Sequence, residues 1–174
     1  MQYLPKLIAV VGGKHSGKTT VIEHLIAELK RRGNRVGTIK EMVRIPSLDT
    51  PAKETDRYAK AGAETIVALP KEETVVFIKK RLDIKEVLPY LKNLDYVIFE
   101  GFESQPAIPK IIAAKTIEEA ERYIDGSTIA ISGLIVDSHI DGKTLALGYP
   151  LFNAVTEADK LVDLIEIKTL EFTD

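Results

Sequence analysis

The chain predicts an α/β fold, a mostly parallel sheet flanked by helices, carried by a single domain over residues 1–174. Three observations lead there. Short apolar runs of strand length alternate with stretches of helical period along the whole chain. The first apolar run passes through a glycine-rich turn directly into the first helical stretch. A length of 174 residues is enough for one full hydrophobic core.

Taken in order, Leu7-Ile8-Ala9-Val10-Val11 reads as a strand buried on both faces. Val21, Ile22, Leu25, Ile26 and Leu29 then fall on one helical face, and Gly33 stops that helix. Arg35 to Lys40 reads as a second strand. A polar segment follows from Glu41 to about Pro51, holding Pro46, Ser47, Asp49 and Thr50; loops of that length in a compact domain usually carry function. Lys53 to Ala61 is helical in pattern and ends at Gly62.

Thr65–Leu69 and Thr74–Ile78 read as strands around the Pro70-Lys71-Glu72-Glu73 turn, and Ile84–Leu91 as an amphipathic helix. Tyr96-Val97-Ile98-Phe99 is a buried strand that runs into Glu100-Gly101. After a loop with Pro106 and Pro109 comes the strand Lys110–Ala114. Thr116-Ile117-Glu118-Glu119 has the form of a capping box and starts a helix to about Ile124. Thr128–Val136 reads as another strand with Asp137 at its end. A last helix spans 156–167, capped by Thr156, with Ala158, Leu161, Val162 and Ile165 inward.

The turn after the first strand carries the chemistry. Gly12-Gly13-Lys14-His15-Ser16-Gly17-Lys18-Thr19-Thr20 matches G-x-x-x-x-G-K-[ST], the phosphate-binding P-loop. A triphosphate carries several negative charges and needs donors on several sides. Glycines let the backbone curl close to the anion, consecutive N–H groups point inward, and the following helix adds its positive end. Lys18 would reach the β and γ phosphates, and the Thr19 hydroxyl would take a Mg²⁺ ion. Strand, loop and helix together make the fold P-loop NTPase-like. For Lys14 and His15, the backbone N–H groups matter more than the side chains.

A carboxylate near Mg²⁺ should come from the end of a second buried strand. The run Leu94 to Gly101 offers Asp95 and Glu100, at opposite ends. Five residues separate them by about 16 Å in a strand. Ligands of parallel sheets bind at the carboxyl ends of strands, so Glu100 is the expected catalytic and metal-site partner of Lys18 and Thr19, while Asp95 is a strand-start residue. In the segment after the second strand, Asp49 is a further candidate Mg²⁺ ligand, with Glu54 beside it. Lys40, Lys53 and Arg57 are candidate phosphate or partner contacts.

Composition excludes other classes. The chain has no cysteine, which rules out disulfides, thiolate metal sites and thiol nucleophiles. Its three histidines, His15, His24 and His139, are scattered. A net charge of −2 without a basic block disfavours sequence-independent nucleic-acid binding. No apolar run approaches membrane-spanning length and no signal peptide is read at the start, so a cytoplasmic protein is expected.

The order of these motifs resembles a known family. Val36-Gly37-Thr38-Ile39-Lys40, Asp49-Thr50-Pro51-Ala52-Lys53-Glu54-Thr55-Asp56-Arg57, Ala61-Gly62-Ala63-Glu64, Phe99-Glu100-Gly101-Phe102, Pro109-Lys110-Ile111 and Tyr149-Pro150-Leu151-Phe152 follow the P-loop. Nearly the whole chain is similar to MobB, the molybdopterin-guanine dinucleotide biosynthesis adaptor family. The resemblance implies a homodimeric GTP-binding protein with weak GTPase activity, using Mg²⁺. It would assist the guanylyltransferase MobA in attaching GMP to molybdopterin. The family pattern continues after Thr-Ile-Lys with a histidine-rich stretch, where this chain has Glu41-Met42-Val43-Arg44.

The guanine preference is implied by resemblance alone. None of Asn34, Asn93 and Asn153 precedes a lysine, so no Asn-Lys-x-Asp guanine motif exists; Asp137, at the end of a late strand, is a candidate to read a base alone, and the residues leave ATP open. The competing readings are a P-loop small-molecule kinase using ATP and a metal-insertion GTPase. A kinase lid rich in arginine is not evident among the seven arginines, and the absence of cysteine with so few histidines speaks against metal insertion.

Overall fold

The computed structural model describes residues 5–42, 54–105, 108–137 and 147–171. The chain divides into two compact units, one formed by residues 1–41 and 91–174, the other by residues 42–90.

The first unit is built on a five-stranded sheet. Its strands are β1 (Lys6–Val11), β2 (Val36–Lys40), β5 (Tyr96–Glu100), β6 (Lys110–Ala113) and β7 (Thr128–Ser132), in the order β2-β5-β1-β6-β7. Every pairing among them is parallel. The apolar runs explain this. Ile8, Ala9, Val10, Val97, Ile98, Phe99, Ile111, Ile112 and Ile131 are all fully buried, as strands covered on both faces require. Alternate residues of β1, β5 and β6 (Ile8 and Val10, Tyr96 and Ile98, Ile111 and Ala113) share one cluster with two helices, α1 (Lys18–Arg31) and α5 (Ala158–Glu171).

Helix α1 buries Val21, Ile22, Leu25 and Leu29, each contributing about 1.5–3 kcal/mol relative to exposure. It ends as Gly33 takes φ 85°, with Asn34 N–H returning to the Leu29 carbonyl. Buried Glu28 receives Arg31 and Arg32, and Arg32 reaches across to the Asp159 carbonyl and to Asp163 and Glu166 on α5. One charged clasp therefore ties the two core helices.

The second unit holds α2 (Glu54–Lys60), the antiparallel pair β3 (Thr65–Ala68) and β4 (Val75–Ile78), and α3 (Ile84–Val87). The two strands form their own sheet, apart from the parallel one. The expected helix Ile84–Leu91 is shorter: α3 has a full capping box between Asp83 and Glu86, but Pro89 cannot donate to a helical ladder, and Leu88–Leu91 tightens into a 3-10 turn.

Three further expectations are corrected. The strand predicted over Thr128–Val136 stops at Ser132, because Gly133 turns at φ 89° and Leu134–Asp137 winds into a 3-10 turn. Asp137 therefore ends a turn, not a strand. The Thr116 hydroxyl does accept from Glu119 N–H, and α4 (Ile117–Glu121) begins there. The Glu119 carboxylate, however, takes the Lys115 N–H instead of closing the capping box. Thr156 does not cap α5. The Asn153 side chain takes the Val155 N–H, the Asn153 carbonyl takes Thr156 and Glu157, and the first helical bond runs from Leu161 to Glu157.

Among the described residues, no helix is long and apolar enough to cross a membrane.

Candidate nucleotide-binding site

β1 delivers the chain into the loop at the carboxyl end of the sheet, and the loop's backbone is shaped by three left-handed residues. Gly12 has φ 144°, His15 φ 58° and Gly17 φ 94°. At Gly12 the glycine is obligatory on two counts, since a Cβ there would also lie 1.9 Å from the Ala113 carbonyl oxygen. Gly133 presses on the loop from the other side, where a Cβ would lie 2.4 Å from the Ser16 carbonyl oxygen. Leu134 N–H donates to that same carbonyl at 3.2 Å. The turn that ends β7 thus clamps the phosphate loop.

The loop's donors face an open bay. Among the described residues, none of the backbone N–H groups from Lys14 to Lys18 has a protein acceptor. Gly17 precedes α1 in a left-handed conformation with no side-chain cap, so the helix offers its bare positive end. Lys18 Nζ folds back onto the Gly12 and Gly13 carbonyl oxygens at 2.8 and 2.5 Å. The Ser16 hydroxyl is fully buried without a partner. Free amide donors, a helix end and an ammonium held on loop carbonyls are a donor set that fits an oxyanion.

The bay has a volume of about 370 Å³ and is lined by residues 14–20, Glu100 and Leu134. Glu100 arrives because β5 lies directly between β2 and β1, in register with Val10 on one side and Lys40 on the other. Its carboxylate pairs with Lys40 at 2.8 Å. Lys18, Thr19 and Glu100 therefore share one bay, while Asp95 sits at the opposite strand end, its carboxyl held low by hydrogen bonds from the Arg35 side chain and backbone.

Thr19 and Glu100 contribute oxygens alone, the donor type hard divalent cations take. Among the described residues, no cluster of three His, Cys, Asp or Glu side chains is placed to hold a metal. A cation here would complete its shell with substrate oxygens and water. Asp49 and Lys53 lie outside the described residues; Glu54 and Arg57 are on α2 of the second unit.

Some bracing residues carry no motif. Lys115 Nζ donates to the Lys14 carbonyl at 3.1 Å, and a Cβ on Gly13 would strike the Glu119 carboxylate. Glu41, at the position where the resembling family begins its histidines, accepts from Phe102 N–H at 3.3 Å and holds the turn after Glu100. Lys110 is fully buried and bonds the Glu103 carbonyl and Asp125. Only the apolar strand around Lys110 hinted that its charge needed internal partners.

The family model described as molybdopterin guanine dinucleotide synthesis protein B, MobB, matches residues 7–136. The chain belongs to the MobB family. A Methanocaldococcus jannaschii relative, described as a putative molybdopterin-guanine dinucleotide biosynthesis adapter protein, is 34% identical over 131 residues. That match covers 72% of this chain and 54% of the relative, so the chain spans about half of that relative's length. A Bacillus subtilis adapter protein is 28% identical over 152 residues, 85% of each chain. The crystal structure of Bacillus subtilis MobB superposes with a TM-score of 0.72 at 25% identity, covering 91% of this chain and 97% of that one. The MobB match contains the whole phosphate loop, Glu100 and the Gly133 clamp, and ends at Val136.

Proposed function

We propose that this chain is a GTP-binding adapter of molybdopterin-guanine dinucleotide synthesis that hydrolyses its nucleotide slowly. The observation that carries the proposal is the shared bay of the uncapped α1 terminus, Lys18 and Glu100. The adapter role is supported by membership of the MobB family and by the printed names of the relatives.

In this reading Lys18 exchanges its bonds to the Gly12 and Gly13 carbonyls for phosphate oxygens, and the amides of Lys14–Lys18 surround the anion. Thr19 and Glu100 would hold Mg²⁺, which supplies neutralisation of phosphate charge. Glu100 also orients the attacking water, with Lys40 fixing its carboxylate. No arginine lines the bay among the described residues, so turnover without a partner is slow. That partner is the guanylyltransferase MobA, and the adapter works as a homodimer.

The deciding experiment titrates wild type and Lys18→Ala with GTP and ATP in the presence of Mg²⁺ and follows phosphate release. Wild type should bind GTP and release phosphate slowly, and the variant should lose triphosphate binding. Unchanged affinity in the variant, or rapid phosphoryl transfer from ATP to a small acceptor, would overturn the reading.

A further inference from the structure

Two carbonyls bracket the turn of the phosphate loop, and each is held by a donor from another element. Leu134 N–H, after β7, donates to the Ser16 carbonyl at 3.2 Å. Lys115 Nζ, after β6, donates to the Lys14 carbonyl at 3.1 Å. The first bond joins main chain to main chain, whereas the second depends on one side chain that belongs to no motif. Lys115 is not among the residues lining the bay, so its bond reaches the loop from outside.

Lys115 is itself held in place. Its backbone N–H donates to the Glu119 carboxylate at 2.7 Å, and its ammonium lies 3.9 Å from the other carboxylate oxygen. That carboxylate also packs against Gly13, where a Cβ would strike it. One side chain, only 15% exposed, thus supports both Lys115 and the loop.

Peptide geometry gives the Lys115 bond a consequence. In a trans peptide the C=O of one residue and the N–H of the next point in opposite directions, and the described residues hold no cis bond. Holding the Lys14 carbonyl outward therefore turns the His15 N–H inward, towards the bay. Among the described residues that N–H has no protein acceptor. His15 bears the strain, with φ 58° in the left-handed region that non-glycine residues avoid. Turning the Lys14–His15 peptide over changes ψ at Lys14 and φ at His15 together. It would release His15 from the left-handed region, but it would aim the Lys14 oxygen into the bay. One position of the anion nest would change from donor to acceptor and repel phosphate.

We infer that Lys115 is a positioning residue for phosphate binding. It holds the Lys14–His15 peptide in the strained orientation that presents the His15 N–H to the anion. The inference rests on the triphosphate reading of the Gly12–Thr20 loop and adds a residue that the loop's motif does not contain. Lys115 acts through the peptide and does not touch the ligand.

The test measures binding of inorganic tripolyphosphate and of GTP, each with Mg²⁺, to wild type, Lys115→Met, His15→Gly and the double variant. Lys115→Met keeps the aliphatic stem and removes the donor. It should weaken both ligands by roughly tenfold, the scale of one charge-assisted hydrogen bond, while phosphate release at saturating GTP falls much less. Glycine enters the left-handed region without penalty. In the His15→Gly background the loss caused by Lys115→Met should therefore shrink to about threefold or less. The ratio of wild-type to Lys115→Met affinity should hold between roughly 0.05 and 0.5 M NaCl, because a fixed hydrogen bond is not screened as a distant charge is. In wild type, tripolyphosphate should slow exchange of the His15 amide hydrogen with solvent.

Unchanged affinity in Lys115→Met, equal losses in the two backgrounds, or a ratio that collapses in high salt overturns the positioning role alone. So does a His15 amide whose exchange is not slowed while ligand is bound, a measurement that needs no variant to fold. Failure of wild type to bind either ligand overturns the phosphate site and this inference with it.

Discussion

Glu100 and Lys40 form a 2.8 Å ion pair at the carboxyl ends of two adjacent strands, and the same Glu100 lines the bay bounded by the Lys14–Thr20 loop. The pair separates two roles that the sequence leaves mixed. If Glu100 positions water, Glu100→Gln should cut phosphate release by roughly 10²-fold or more, the scale of a lost general base, with triphosphate affinity in the absence of Mg²⁺ little changed. Lys40→Ala should alter turnover and leave affinity intact. A loss of affinity in Lys40→Ala would mean that Lys40 reaches phosphate instead.

Gly12 offers a test of the loop's backbone. Its φ of 144° and a Cβ position 1.9 Å from the Ala113 carbonyl oxygen leave no room for alanine. Gly12→Ala should cost about 3 kcal/mol or more, lowering the melting temperature by roughly 6–12 °C for a chain of this size. Gly126, with nothing within 4 Å of its built Cβ, is the control; Gly126→Ala should stay within about 0.5 kcal/mol of wild type. Equal melting of the two variants would contradict the packing at Gly12.

The Glu28 clasp predicts acid sensitivity. Hydrogen bonds from Arg31 and Arg32 hold its carboxyl down to about 2 from an ordinary 4.5. A group whose folded pKa is depressed stabilises the fold above its unfolded value and loses that contribution as pH falls through the folded one. The clasp should therefore act fully above about pH 4.5 and fade towards pH 2. Denaturation midpoints of wild type and Glu28→Gln should differ at pH 7, draw together below about pH 4.5 and meet towards pH 2. A constant gap across that window would remove the carboxylate's charge from the explanation.

Lys110 tests how the turn after Glu100 is held. Its buried ammonium donates to the Glu103 carbonyl at 2.7 Å and to Asp125. Lys110→Met fills the same space and removes the donor, leaving the Glu103 carbonyl unpaired. The expected loss is about 1–3 kcal/mol, the cost of one unsatisfied polar group, because half-exposed Asp125 can turn to water. Chemical denaturation at neutral pH measures it, and a neutral outcome would show that water replaces the ammonium.

The phosphate loop, the strand leading into it and the apolar face of α1 were legible in the sequence because each is a local matter. A fixed glycine spacing, a short apolar run and a 3.6-residue period need no distant partner to be read. Glu100 was legible by a longer argument: strand ends in parallel sheets converge on one side, so a carboxylate closing a buried strand had to point there. Where competing local effects met, the sequence misled. Gly133 ended a strand that its apolar neighbours continued in pattern, and Asn153 held Thr156 in a turn that precedes α5.

What the sequence alone determined is a glycine-rich loop of phosphate-binding pattern in a parallel α/β sheet, with Glu100 at the same end of the sheet. Tertiary structure decided that β5 inserts between β2 and β1, that Gly133 clamps Ser16, and that Asn153 lies beside the loop. Gly17 and Asn153 are 136 positions apart by their numbering and line the same cavity. No period or spacing encodes such a meeting. It arises because burying both faces of a parallel sheet fixes the order of its strands, and that order places the turns at their carboxyl ends side by side.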